Sequence, residues 1–330
     1  MNEIRLIFLI SLPRSGSTLL QKMLEVNPEI CSISEPWLLL PLANMNNCEM
    51  IVSQYWQSYC SIGISGLINK LPEGNEDYNK CINEFVNKIY QKLTKASCAT
   101  YFLDKTPRYF LILPFIKEVF PNAKIIFLVR HPLDVYSSIL KTWHRNYINP
   151  TLMNNYIDVM KGPKLMAKGM ESYSDTAHII KYENLITDSE NVLRKLCSYL
   201  EINFKKEMLT DYKKSEFSGS MGDTVGLNKY DNISSESIQS WKTNIHSPFR
   251  KWYMRRYINY LGNYTLKSFG FDIEKTLTEI DSIKVHIWKG WIELLGYISL
   301  KCLIRINRAF IGPYRLYIKK LLEKNPMPYG

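Results

Sequence analysis

No Cys-x-x-Cys pair, no uninterrupted apolar run long enough to span a membrane, no internal repeat and no low-complexity linker occurs in these 330 residues. The seven cysteines never stand closer than twelve residues apart, which excludes a zinc-ribbon site and a dense disulfide framework and points to a reducing cytoplasm. The first apolar run, Leu6–Ile10, is too short and meets Pro13-Arg14 too soon to be a signal peptide or an anchor, so a first buried strand is expected there. Charged residues make up only 22% against 46% hydrophobic, which excludes a disordered chain and leaves enough apolar surface for a large core. The charge that is present is one-sided: 42 Lys+Arg against 31 Asp+Glu give +11, a balance that favours anionic partners without choosing among nucleotides, acidic membranes and nucleic acid.

Short apolar runs bounded by turn residues recur at Leu6–Ile10, Ile30–Ser34, Thr100–Leu103, Ala123–Val129 and Ala177–Ile180, with helical patterns between them. Such alternation predicts an α/β fold of three layers, a mainly parallel sheet flanked by helices. Ile82, Phe85, Val86, Ile89 and Leu93 step at three and four residues and predict one buried helix face.

The first strand runs into Ser11-Leu12-Pro13-Arg14-Ser15-Gly16-Ser17-Thr18 and then into a helix that stops at Asn27-Pro28. A strand, a tight loop and a helix N-terminus aim backbone N–H groups and the positive end of the helix dipole at one point, where a phosphate can sit. On the Walker pattern Gly16 takes the second glycine and Thr18 the final hydroxyl, but Ser17 stands where the lysine belongs, which argues against a nucleoside triphosphatase. An ordinary strand-to-helix turn accounts for the isolated loop about as well. A second candidate follows at Ile125-Ile126-Phe127-Leu128-Val129-Arg130-His131-Pro132, with Ser138 eight residues past Arg130. The arginine offers a planar fork to a phosphate, and Ser138 with the next helix closes the other side. Two anion sites on one sheet suit a nucleoside phosphorylated at both ends.

Over roughly residues 5 to 272 the sequence resembles the sulfotransferases that use 3′-phosphoadenosine 5′-phosphosulfate (PAPS). Pro13-Arg14-Ser15-Gly16-Ser17-Thr18 fits their 5′-phosphosulfate loop, Arg130 and Ser138 fit their 3′-phosphate motif, and Asp104-Lys105-Thr106-Pro107 and Lys181-Tyr182-Glu183-Asn184-Leu185 are further matches. The resemblance implies a P-loop-containing fold with PAPS as co-substrate, Arg14 as a transition-state cation, Ser17 and Thr18 as donors to the 5′-phosphosulfate, and Tyr182 facing the adenine. Ser220 and Lys229 lie in a stretch that resembles, with loose spacing, a region closing over the nucleotide in bacterial members; a solvated basic loop accounts for them equally well.

Transfer to a hydroxyl needs a base for the acceptor proton and a cation for the leaving oxygen. Glu35 follows the second strand run directly, at the carboxyl end where open α/β sheets place ligands, and is the first choice for the base. The resemblance supports this, since tyrosylprotein-type members carry their catalytic glutamate about twenty residues past the loop arginine, but here Ser34-Glu35-Pro36-Trp37 replaces their paired glutamates, which leaves the acceptor class open. His131 is the competing base, although its place beside Arg130 suggests packing against the nucleotide. Lys105, just past the third strand run, can supply the charge that the first loop lacks. No carboxylate cluster or His/Cys ligand set is evident, so no metal is expected.

Residues 1–280 are expected to form the catalytic domain and 281–330 a basic, aromatic-rich helical extension. The extension holds nine lysines and arginines against three acidic residues, +6 of the total +11. From Ile283 to Phe310 it reads as an interfacial helix or as a helix packed on the core, two readings that the sequence leaves open. The functional expectation is a cytoplasmic sulfotransferase, either free or peripheral on a membrane, acting on a hydroxyl of a surface glycan or lipid-linked saccharide, with small alcohols or protein tyrosine as alternatives. A P-loop nucleotide or sugar kinase and a nucleic-acid-binding module are the competing classes. The first needs a lysine and a magnesium carboxylate that the motifs lack, and the second needs basic residues interleaved with exposed aromatics.

Overall fold

Strand β1 (Arg5–Ser11) is buried on both sides, with Phe8 and Ile10 in one apolar cluster and Ile7 and Leu9 in the other. Side chains alternate across a strand, so a continuous apolar run fills two cores when helices cover both faces. Each of these four fully buried side chains contributes about 1.5–3 kcal/mol relative to exposure. The computed structural model, which describes residues 4–45, 57–95, 97, 99–213, 235–286 and 290–306, shows the three-layer α/β architecture that the alternation predicts. With β2 (Ile30–Ser32), β3 (Tyr101–Asp104), β4 (Lys124–Val129) and β5 (His178–Lys181), β1 forms an all-parallel sheet of order β2-β3-β1-β4-β5. Strand β2 ends two residues before the expected Ser34.

In chain order the helices are α1 (Ser17–Glu25), α2 (Leu39–Asn44), α3 (Gln57–Ile68), α4 (Asn75–Thr94), α5 (Leu113–Val119), α6 (Pro132–Trp143) and α7 (Gly162–Ser172). They continue with α8 (Tyr182–Thr187), α9 (Ser189–Leu200), α10 (Trp241–Asn244), α11 (Pro248–Ser268), α12 (Ile273–Ser282) and α13 (Trp291–Ile306). Helices α1, α8 and α9 cover one face of the sheet; α4 to α7 and α11 cover the other. The connection after β1 leads toward β2 and the one after β4 leads the opposite way toward β5, so a crevice opens between the carboxyl ends of these two neighbours.

The buried face of α4 differs from the expected one. Ile82, Val86 and Tyr90 point inward, whereas Phe85 and Leu93 are exposed. Tyr90 displaces them because its ring stacks on Phe102 with centroids 4.1 Å apart while its hydroxyl donates to Asp104 at 2.6 Å. At the C-terminal end α13 lies against the core through Leu300 and Tyr297, the latter in a cluster with Phe249, Trp252 and Tyr253. Its Glu293 is fully buried and paired with the equally buried Arg250. Among the described residues no helix is long and apolar enough to cross a membrane.

Candidate active site

The loop between β1 and α1 turns tightly, with Ser15 N–H donating to the Leu12 carbonyl at 3.3 Å and with Arg14 and Gly16 at φ 67° and 91°. Gly16 meets two demands. Its left-handed backbone suits glycine, and a Cβ there would collide with the ring of Tyr182. The turn leaves the first N–H groups of α1 facing the crevice, and the buried Ser15 hydroxyl has no hydrogen-bond partner among the described residues. Pro13, Ser17 and Thr18 are partly exposed at the same turn.

Across the crevice, β4 ends at Val129 and delivers Arg130, which is buried. Its guanidinium donates to the carbonyls of Arg14 at 2.9 Å and Ser237 at 2.6 Å and rests over the Tyr182 ring, 4.4 Å from the centroid. Its Nε–H is buried without a partner among the described residues. Arg14 reaches the same place from the other loop, its Nε–H donating to the Ser138 hydroxyl on α6 at 3.3 Å. The crevice thus gathers Arg14, Ser15, Gly16, Arg130, Ser138 and Tyr182 from four separate elements. Two guanidinium groups beside unused buried donors form a strongly anion-seeking site, because a buried donor without an acceptor costs about 1–3 kcal/mol until something accepts from it.

The other two expected catalytic residues also meet. Lys105 Nζ lies 2.7 Å from Glu35 Oε1, and the pair is nearly enclosed, with side chains 3% and 12% exposed. The indole N–H of Trp37 donates to the second carboxylate oxygen at 3.4 Å, and the backbone N–H of Trp37, a residue at φ 54°, donates to the Thr106 hydroxyl at 3.3 Å. The loops after β2 and β3 are therefore tied at two points. Below them Asp104 is fully buried and accepts from Tyr90, Tyr109 and Thr106. Burial pushes its carboxyl up to about 6, against the pull of those three hydroxyls and of Lys105.

Two acidic residues frame the Arg130 side. Asp134, in the first turn of α6, accepts from the backbone N–H groups of Gln239 and Trp241 and from the Ser240 hydroxyl, which fixes the segment carrying Ser237 above Arg130. Glu183 accepts from the His131 backbone N–H at 2.9 Å. His131, which the sequence offers as the competing base or as a residue packed against the nucleotide, has aromatic and capping contacts in the fold. Its ring stacks on Trp241, meets Phe271 edge-on and caps α6 by accepting at Nδ1 from the Leu133 N–H. Burial, then the charges of Lys242, Arg130 and Lys181, pull its pKa down to about 3. Ser220 and Lys229 lie outside the described residues.

No role is assigned to Trp37, Asp134 or the Tyr90–Asp104–Tyr109 group in the sequence-based reading. Asp134 carries a usable signal, a carboxylate four residues after the strand-end arginine in the first turn of a helix. Trp37 carries none, because its role depends on two loops meeting.

The description "sulfotransferase family" belongs to the family model that matches residues 7–206. Nodulation protein NoeE of Sinorhizobium fredii is 22% identical over 258 residues, covering 72% of this chain and 60% of that protein. Protein-tyrosine sulfotransferase A of Caenorhabditis elegans is 24% identical over 208 residues, covering 62% of this chain and 51% of its own length. The chain thus spans between half and two thirds of these two relatives. Among solved structures, the sulfotransferase domain from the curacin biosynthetic pathway superposes with a TM-score of 0.51 at 24% identity, over 74% of this chain and 92% of that domain, a likeness of fold.

Proposed function

Because the chain belongs to the sulfotransferase family, we propose that it transfers the sulfuryl group of PAPS to an acceptor hydroxyl, with the crevice between β1 and β4 as the donor site and the Glu35–Lys105 pair as the reacting end. The observation that supports this most is the convergence of Arg14 and Arg130 from neighbouring strand ends on a place where Ser15 and Arg130 keep unused buried donors. Such a donor set fits a nucleotide with phosphate at both its 3′ and 5′ positions. Arg130 and Ser138 are assigned to the 3′-phosphate, and the loop Pro13–Thr18, with Ser15, Ser17 and Thr18, to the 5′-phosphosulfate. Tyr182, pinned under Gly16 and Arg130, shapes the floor between them.

PAPS supplies an activated sulfur whose bond to the bridging oxygen is the one that breaks. Glu35 accepts the acceptor proton as the acceptor oxygen bonds to sulfur, and a sulfate ester and the 3′,5′-bisphosphate nucleotide are the products. Proton uptake neutralises Glu35 and weakens its hold on Lys105 at the moment when charge builds on the leaving oxygen. One ion pair can in this way serve both ends of the transfer, the base releasing the cation as it is consumed. Arg14 is assigned as a second cation for the transition state.

The acceptor is assigned to a surface glycan or lipid-linked saccharide, with a small alcohol or tyrosine as alternatives. The reaction is placed in the cytoplasm, with peripheral contact at the inner face of a membrane and no nucleic-acid partner. Incubation with radiolabelled PAPS and panels of lipid-linked saccharides, alcohols and tyrosine peptides, with and without EDTA, tests the reading. Transfer that survives EDTA is the expected result. A strict metal requirement, or phosphoryl transfer from a nucleoside triphosphate in place of sulfuryl transfer, would count for the kinase class.

A further inference from the structure

Helix α13 has two unlike faces. Toward the core it presents Glu293 and Leu300, both buried, and Gly296, where a Cβ would strike the Ile148 carbonyl, so this side is fixed by close contact. Outward it presents Trp291, Ile292, Leu295, Ile298, Leu303 and Ile306, the first three 65%, 71% and 66% exposed. At 100° per residue these six side chains, with Ser299 and Cys302 between them, occupy one continuous uncharged arc along a helix of about 24 Å. Lys301 and Arg305 border that arc on one edge. The only carboxylate of the helix, Glu293, is already committed to Arg250.

We propose that this outward face of α13 seats on an anionic lipid bilayer. An exposed apolar stripe with a basic border and no acidic side chain matches a surface that offers hydrocarbon below and negative headgroups above. The arc begins at Trp291, an indole of the kind that prefers the interface. Charge decides between occupants. A second copy of the same face would bring Lys301 and Arg305 against like charges with no acid to offset them, whereas acidic headgroups neutralise both. The placement deepens the peripheral-contact part of the proposed function by naming its surface, and it stands apart from the transfer chemistry.

The test is flotation of the full-length protein with vesicles of pure phosphatidylcholine and vesicles containing one part in three of phosphatidylglycerol, in low and high salt, beside two variants. Wild type is expected to float with the anionic vesicles and to weaken in high salt. The W291S/L295S variant should bind them about tenfold less or weaker still, and K301Q/R305Q about tenfold less at low salt only. Both variants should keep the wild-type melting temperature, since the altered side chains are exposed, and both should keep wild-type affinity for the 3′,5′-bisphosphate nucleotide. Loss of vesicle binding with nucleotide binding retained therefore touches this inference alone. Failure of wild type to float, or undiminished flotation of W291S/L295S, would overturn it. So would a concentration-dependent dimer that the same substitutions abolish, since the face would then belong to a second copy.

Discussion

Replacing Glu35 with glutamine removes the proton acceptor and keeps the shape of the side chain, so it separates chemistry from binding. The amide oxygen of the new side chain could still accept from Lys105, but the nearly enclosed ammonium would lose its counter-charge. Loss of general-base help usually costs about a hundredfold or more in rate, which raises the barrier by roughly 2.7 kcal/mol. The cost to folding should be about 1–3 kcal/mol, below the ~3–5 kcal/mol of an abandoned buried charge, because the hydrogen bond remains. Lys105→Met leaves the carboxylate without its partner, and the double variant should be more stable than the sum of the two losses by about 1.5–3 kcal/mol. Single-turnover transfer from labelled PAPS, titration calorimetry with the product nucleotide and urea denaturation read the three quantities separately. The reasoning is refuted if E35Q turns over within about threefold of wild type, or if its nucleotide affinity falls in step with its rate.

Gly16→Ala should abolish measurable nucleotide binding while the protein still folds, because the new methyl group meets the Tyr182 ring and the left-handed backbone resists any Cβ; adding Tyr182→Ala should restore part of the affinity if the collision matters most. His131 is neutral in the folded protein down to about pH 3 and protonates near 6.5 once unfolded, so stability is fully present above 6.5 and is lost as pH falls toward 3. At pH 5 that loss is about 1–2 kcal/mol after allowance for the ring's exposed edge, and urea melts of His131→Gln should show a shallower acid limb. Trp37→Phe removes the indole donor to Glu35 and should lower turnover a few-fold with nucleotide affinity and melting temperature unchanged; unchanged turnover would make Trp37 a packing residue only.

The short apolar runs and the strand–loop–helix pattern carried the sheet and the two loops that meet at its crevice, because those signals are local. What escaped the sequence depends on elements meeting across the fold. Phe85 and Leu93 fit the helical period as well as Tyr90 does, and it is the Phe102 ring and the buried Asp104 carboxylate that draw Tyr90 inward. His131 stands next to Arg130 in the chain, yet its stacking on Trp241 and its capping of α6 depend on a segment far off in sequence and on the opening turn of that helix. Glu35 and Lys105 were each legible from their places at strand ends. Their pairing followed from β2 and β3 lying side by side, which no local pattern states.

The central claim is that two neighbouring strand ends hold the two phosphate groups of one nucleotide, and titration calorimetry with 3′,5′-bisphosphoadenosine and with 5′-AMP tests it most directly. Wild type is expected to bind the bisphosphate at least tenfold more tightly than AMP, and Arg130→Ala to erase about that much of the difference, since a charge-assisted contact to phosphate is worth about 1.5–3 kcal/mol. Equal affinity for the two nucleotides, or a preference that survives Arg130→Ala, would contradict the account.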